Sequence, residues 1–312
     1  MNGTGKFRFA CCYRISRGYG EARFLLISQI NDFDISAIRI TSNAWYIRDM
    51  STHEKKRLEN PPDKIRLKIK RRDREGAPIR WETFELGYRR NLNVISALME
   101  IRKNPVTTEG KQTTPPVWDM SCLEQVCGIC TMVIDGKVRQ SCSALIDDLL
   151  LASGGDTVTL EPMSKFPVVR DLKVDRSEMF DHLKRVNSWI ELDGTYNLGP
   201  GPAISNDLAQ ERYAYSRCMT CGCCLEACPQ YGDGNYIGPQ AIAQARLFNM
   251  HPTGKLTSDD RLNGLLEEDG IGNCGNAQNC IEVCPMSIPL TKAIYETNRD
   301  ITIDAIFGWL KK

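Results

Sequence analysis

Cys122-Leu123-Glu124-Gln125-Val126-Cys127-Gly128-Ile129-Cys130 places three cysteines within nine residues, and a fourth, Cys142, follows twelve positions later. The residues on either side show what this run is set into. Upstream, Ile65-Arg66-Leu67-Lys68-Ile69-Lys70 alternates strictly between apolar and basic, the period of a half-buried strand. Residues 72–78 are a polar turn containing Gly76, and residues 79–86 read as the return strand of a hairpin. Asn93 is placed to cap a helix with Val94, Leu98 and Ile101 on one face, stopped by Asn104-Pro105. Downstream, Val133-Ile134, the Asp135-Gly136 turn and Val138 make a second hairpin, and Thr157-Val158-Thr159-Leu160 alternates once more. The cysteine run lies between the helix and the second hairpin, and the ββαββ order predicts a small mixed sheet gripping one helix.

Composition sets the wider frame. A chain of 312 residues suggests about two domains. An apolar content of 42% is that of a globular protein rather than a disordered one. The 40 basic and 39 acidic residues leave a formal charge of +1, so no whole-molecule field favours nucleic acid as a partner. No run approaches the roughly 18 apolar residues needed to cross a bilayer. The 14 cysteines do not suit a disulfide scaffold, which belongs to short secreted chains, and the first 50 residues hold no apolar run of signal-peptide length. A reducing compartment is expected, and the thiols need another purpose.

Residues 1–50 show no sustained period of 2 or 3.6, and residues 1–60 read as an N-terminal extension. Residues 1–49 are expected to lie outside the working fold, with Met50 a candidate initiator. The first ordered domain is expected over 61–165. Residues 162–202 read as irregular, ending in Leu198-Gly199-Pro200-Gly201-Pro202, and 166–205 as the connector. A helical domain is expected over 206–312, with helices at 206–217, 239–250 and 258–268 and a last apolar face of Ile303, Ile306, Phe307 and Leu310.

Cys122, Cys127, Cys130 and Cys142 form C-x4-C-x2-C with a distant fourth, the plant-type ferredoxin spacing in which a long loop wraps a 2Fe-2S cluster. Gly128 would let the backbone approach a sulfide, and inward N–H groups would stabilise an anionic cluster. A zinc site is the rival, but zinc usually takes two C-x2-C pairs and only Cys127 and Cys130 form one here. Further on, Cys218, Cys221, Cys224 and Cys228-Pro229 reproduce the bacterial-ferredoxin run C-x2-C-x2-C-x3-C-P, whose fourth cysteine serves the other cluster of a pair. Cys274, Ala277, Cys280 and Cys284-Pro285 repeat that frame with one ligand position replaced. Crossing the fourth cysteines gives Cys218, Cys221, Cys224 and Cys284 to a 4Fe-4S cluster and leaves Cys228, Cys274 and Cys280 for a 3Fe-4S cluster whose open corner faces Ala277. A labile four-iron cluster with water at that corner is the alternative. Cys223 reads as small buried packing, and Cys11 and Cys12 fall outside every frame.

Little other chemistry is visible. The histidines are His53, His182 and His251, the last placed to cap a helix end. No G-x-G-x-x-G, P-loop or nucleophile elbow occurs. Three clusters and no substrate site of its own describe an electron conduit.

The arrangement closely resembles the iron-sulfur subunit of succinate dehydrogenase and fumarate reductase. The resemblance covers about residue 65 to the C-terminus and is carried by Asn91-Leu92-Asn93-Val94-Ile95-Ser96-Ala97-Leu98, Ser121-Cys122-Leu123-Glu124-Gln125-Val126-Cys127-Gly128, Phe166-Pro167-Val168-Val169-Arg170-Asp171-Leu172 and Cys218-Met219-Thr220-Cys221-Gly222. Asp193-Gly194-Thr195-Tyr196 and the Gly-Pro run at 198–202 are nearest to the Gram-positive, menaquinone-linked type. The resemblance implies an α+β fold: an N-terminal β-grasp 2Fe-2S ferredoxin-like domain followed by an all-α ferredoxin domain. It also implies the partners, namely a flavoprotein (FAD) catalytic subunit and a membrane-anchor cytochrome b subunit through which electrons reach quinone. The complex would lie on the cytoplasmic face of the bacterial cell membrane, with this subunit peripheral. Ubiquinone-type members carry Trp after the fourth Cys and His after the first Cys of the gapped motif. Here Gln230, Tyr231 and Gly275 stand there, which favours a quinone site displaced into the anchor. Other membrane reductases with paired cubanes usually carry two complete motifs, against which Ala277 argues. A free ferredoxin-like carrier is the remaining rival.

Overall fold

The computed structural model describes Leu58, residues 60–191, and residues 201–307 apart from Asp233. Residues 1–49 with Cys11 and Cys12, the 193–196 segment and Leu310 lie outside the described residues.

The first hairpin forms as its alternation dictates. β1 (Lys64–Arg71) pairs antiparallel with β2 (Arg80–Gly87), and Ile65, Leu67 and Ile69 turn to the core while the basic residues between them face out. α1 (Val94–Lys103) starts at Asn93, whose side-chain oxygen accepts from the Ser96 N–H at 2.8 Å, a cap worth about 1 kcal/mol. β3 (Thr131–Ile134) and β4 (Lys137–Gln140) form the second hairpin, and β5 (Thr157–Glu161) inserts between the two. The sheet order is β2-β1-β5-β3-β4, with β1 and β5 parallel and the other pairs antiparallel. One face of this sheet buries Ile65, Leu67, Ile69 and Phe84 against Val94, Leu98 and Ile101 of α1. The mixed-sheet reading holds, but the single-helix count does not. A second helix, α2 (Ile146–Ser153), lies between β4 and β5 and adds Ile146, Leu149 and Leu150 to the same core. It escapes sequence reading because Leu145 offers no side-chain cap and its Leu149-Leu150-Leu151 run has no clear period.

The segment 162–202 is not irregular throughout. It holds a short hairpin, β6 (Val168–Arg170) and β7 (Lys173–Val174), then α3 (Ser177–Arg185). Strands of three and two residues are too short to show alternation, whereas α3 does carry an apolar helical face, with Met179 fully buried on it, and is a helix that reading the whole segment as irregular overlooks. Met163, Phe166, Val174, Met179 and Val186 nevertheless join the core of the helical part. Glu226 clamps the start of this segment, accepting from Ser164 N–H and Oγ–H at 2.9 and 2.7 Å and from Lys165 N–H at 3.1 Å.

Beyond it come α4 (Asn206–Ser216), α5 (Cys223–Glu226), α6 (Pro239–Asn249), α7 (Ser258–Leu265), α8 (Asn279–Glu282) and α9 (Leu290–Phe307). α7 stops three residues short of the expected Glu268, turning towards Gly270. α9 begins well before the expected face and buries Leu290, Ala293, Ile294 and Thr297 instead, leaving Ile303, Ile306 and Phe307 exposed. Among the described residues no helix is long and apolar enough to cross a membrane.

Candidate metal centres

The loop between α1 and β3 is built around Cys122. Leu123, Gln125 and Gly128 all take positive φ (62°, 57° and 69°), and these turns aim successive N–H groups inwards, the geometry of an anion-binding nest. The N–H groups of Glu124, Val126 and Cys127 donate to Cys122 Sγ at 3.4, 3.4 and 3.3 Å. Those bonds pull the Cys122 thiol down to about 7. Cys142 is pushed up to about 11, chiefly by burial and then by its neighbour Cys130, with Cys122 also acting on it. Cys130 and Cys142 pack with Ile95 and Trp118, and Ser141 N–H and Oγ–H both reach the Cys130 carbonyl.

The second and third sets share one backbone plan. Thr220 and Gly222 of the complete frame have φ of 52° and 83°, and Asn276 and Gln278 of the gapped frame have 53° and 64°. α5 then recurs as α8, with matching Leu225 N–H to Gly222 O and Ile281 N–H to Gln278 O bonds. Ala277 therefore occupies the backbone station that Cys221 holds in the first frame.

Two hollows sit within this repeat. One, of about 360 Å³, is lined by Cys218, Cys221, Cys224 and Cys284, together with Gln240 and Ile288. The other, of about 320 Å³, is lined by Cys228, Cys274, Cys280 and Ala277, with Gln230 and Tyr236. Each frame sends its fourth cysteine to the other frame's hollow. Cys218 is pushed up to about 11 by burial, with Cys221 and Cys284 adding to the rise, and Cys280 likewise by burial and then by Cys228 and Cys274. Burial also drives Cys224 and Cys284 upward. Thiolates buried this deeply call for compensating positive charge, which metal ligation supplies. Among the described residues no group of three or more His, Cys, Asp or Glu side chains converges on a point that could grip a single metal ion, so the thiols ring a volume instead. Donor set and space both fit multi-iron clusters.

Arg176 belongs to no motif. Arg176, at the foot of α3, donates to the carbonyls of Gly128 at 3.0 Å and Ile129 at 2.8 Å. Burial lowers its pKa, while Cys221, Asp119, Cys223 and Cys130 act the other way, so one cation faces both the first loop and the complete frame. Only its contacts reveal it. A side chain at Gly128 would strike Cys221, so the junction itself requires glycine there. Cys223 is buried beside Cys221, as packing requires. His251 caps the turn after α6, Nδ1 accepting from the N–H groups of Thr253 at 3.2 Å and Gly254 at 3.4 Å. His182 stacks edge-on against Tyr231, and burial lowers its pKa.

Comparison with known proteins extends this geometry. Residues 66–181 match the model of the 2Fe-2S iron-sulfur cluster binding domain and residues 214–288 that of the 4Fe-4S dicluster domain. The chain is 54% identical over 242 residues to the succinate dehydrogenase iron-sulfur subunit of Bacillus subtilis, a match covering 77% of this chain and 94% of that relative. It is 29% identical over 180 residues to the fumarate reductase iron-sulfur subunit of Wolinella succinogenes, covering 57% and 74%. Among solved structures, a chain of the Mycobacterium smegmatis Sdh1 complex in the apo form superposes with a TM-score of 0.63 at 23% identity, covering 78% of this chain and 96% of that one, a likeness of fold.

Proposed function

The chain belongs to the family of succinate dehydrogenase and fumarate reductase iron-sulfur subunits, and from that premise we propose how its residues divide the work of electron transfer. Cys122, Cys127, Cys130 and Cys142 hold the 2Fe-2S cluster; Cys218, Cys221, Cys224 and Cys284 the 4Fe-4S cluster; Cys228, Cys274 and Cys280 the 3Fe-4S cluster. Bound clusters supply one-electron carriers, tuned by ligand type, hydrogen bonds and burial. The two electrons released when a separate flavoprotein subunit oxidises succinate pass along this subunit to membrane quinone through an anchor subunit.

The observation that carries the reading is the contiguity of the three thiol sets. The Gly128 loop lies directly on Cys221, and the neighbouring residues Pro239 and Gln240 line the two hollows, one each. The exposed apolar residues Met120, Leu123, Val126 and Ile129 surround the first set, which supports docking of the flavoprotein there. At the other end, Thr291 and Ile294 of α9 line the three-thiol hollow, and the helix continues to the exposed Ile303 and Phe307, which supports the anchor docking at that end. Gln230 fills the space beside this hollow, since a Cβ on Gly275 would stand 2.5 Å from Gln230 Nε2. That supports a quinone site, for menaquinone in this reading, displaced into the anchor. The subunit then sits peripherally on the cytoplasmic face of the membrane.

The test is purification of the membrane-bound complex followed by EPR. Succinate should reduce the two-iron and three-iron centres, so that the two-iron signal appears and the oxidised three-iron signal is lost, and a menaquinone analogue should reverse both changes. A chain that purifies alone, without a flavoprotein, and whose clusters succinate leaves oxidised would point to a free carrier instead.

A further inference from the structure

The turn that opens α6 lies between the two hollows, and consecutive residues of it face opposite ways. Pro239 lines the three-thiol hollow and Gln240 the four-thiol hollow. The turn has little room to shift. Gly238 has φ +92°, and a Cβ there would stand 2.3 Å from Leu225 Cδ2 and 3.3 Å from Tyr231 Cδ2. On its other side the Ile237 N–H donates to the Asp269 carbonyl at 2.7 Å.

From this pinned turn each hollow receives one buried polar side chain. Tyr236, 2% exposed, lines the three-thiol hollow with its Oη facing the Cys274 thiol, and Gln240, 3% exposed, lines the four-thiol hollow with its Nε2 unpartnered. A buried donor is costly to leave without an acceptor, so two on one turn, each beside a ring of thiols, point to sulfur acceptors in the hollows. The charges acting on the Tyr236 phenol are those of Cys274, Cys228 and Cys280, the thiols of its own hollow.

We propose that Tyr236 Oη–H and the Gln240 Nε2 amide donate hydrogen bonds to sulfur atoms held in the three-thiol and four-thiol hollows respectively, each raising the reduction potential of the centre it faces. This rests on the assignment of the two hollows to the three-iron and four-iron clusters. A donor to sulfur stabilises the more negative, reduced state more than the oxidised one, so removing it lowers the potential. Because the donors sit on opposite sides of one rigid turn, each should act on its own centre.

The experiment is an EPR-monitored redox titration of the assembled membrane-bound complex. Tyr236→Phe should lower the three-iron midpoint by roughly a tenfold change in the reduced-to-oxidised ratio, about 59 mV for one electron, and leave the four-iron midpoint in place. Gln240→Met, similar in length but without a donor, should do the reverse. If Tyr236→Phe does not assemble, a fluorinated tyrosine at position 236, nearly the same shape and a stronger donor, should raise the three-iron midpoint. Intact signals with unmoved midpoints, or equal shifts at both centres from either substitution, overturn the proposal. Absence of the three-iron or four-iron signal from the unsubstituted complex overturns the underlying assignment instead.

Discussion

A Cβ built on Gly128 would lie 2.7 Å from both the Cα and the Cβ of Cys221, a distance no packed side chain tolerates. The first cysteine loop and the complete cubane frame thus meet backbone to backbone. Gly128→Ala would have to force them apart, at an overpacking cost of about 1–3 kcal/mol, and would place an L-residue at φ +69°, costing about 1–2 kcal/mol more. Gly136→Ala is the control, because φ is +73° there but no atom lies within 4 Å. Thermal unfolding of the holoprotein should show the larger loss for Gly128→Ala. Electron transfer between the first two centres should slow in that variant alone.

Arg176 places a cation beside the same junction and ties it through the Gly128 and Ile129 carbonyls. A unit charge about 10 Å away at an effective dielectric near 20 is worth about 1.7 kcal/mol, so Arg176→Gln should lower the midpoints of the two-iron and four-iron centres by several tens of millivolts, by the scale of about 59 mV per tenfold for one electron. Arg176→Lys keeps the charge and loses the fork. It should retain most of the potential while loosening the junction. Potentials that stay put in the Gln variant would show that Arg176 only holds the loop.

The first core is locked at its edge by a buried ion pair. Arg71 and Asp171 are both fully buried, with Arg71 Nε donating to Asp171 Oδ1 at 2.8 Å, and Glu82 completes the site on Arg71. The Val117 N–H donates to Asp171 Oδ2 at 3.0 Å, which fixes the segment leading into the cysteine loop. Removing one partner strands the other, so Asp171→Ala should cost about 3–5 kcal/mol in chemical denaturation. Asp181→Ala, which breaks the exposed pair with Lys184, should cost no more than about 1 kcal/mol. Equal losses would refute the distinction.

What sequence reading could reach here follows from range. Asn93, Asp135-Gly136 and the alternation of residues 65–70 act through neighbours a few positions away, and each appears in the fold where local chemistry puts it. The cysteine frames are equally local, and their shared φ pattern shows that the repeat is one of backbone as well as spacing. Arg176 and Asp171 work through partners tens of residues away, and Tyr236 and Gln240 through a turn that only Gly238 and Leu225 together make rigid. β6, β7 and α3 were invisible for a different reason. The two strands are too short to carry a period and are ordered by the core they join, while α3 has a helical period of its own that the surrounding turns obscure.

Cys284 tests the crossing of the two frames. It follows Cys274 and Cys280 in sequence yet lines the hollow of Cys218, Cys221 and Cys224. Cys284→Ser should therefore damage the four-iron signal and spare the three-iron signal in quantitative EPR. A spared four-iron signal with a lost three-iron signal would reverse the assignment.

Ala277 tests the gap itself. It holds the backbone station of Cys221, between residues of φ 53° and 64°, and it lines the hollow of Cys228, Cys274 and Cys280. Ala277→Cys would bring a fourth thiol to that hollow with no change in backbone plan, so the centre should take up a fourth iron and the oxidised three-iron EPR signal should vanish. An added thiolate makes the cluster more negative, and net charge is among the terms that set its potential, so the midpoint should fall. Quinone reduction should then slow while flavin-linked reduction of an artificial acceptor continues, because the first steps of the path are untouched. A persistent three-iron signal would mean that the side chain at position 277 does not reach the open corner, and the three-iron character would then need a cause other than the missing ligand.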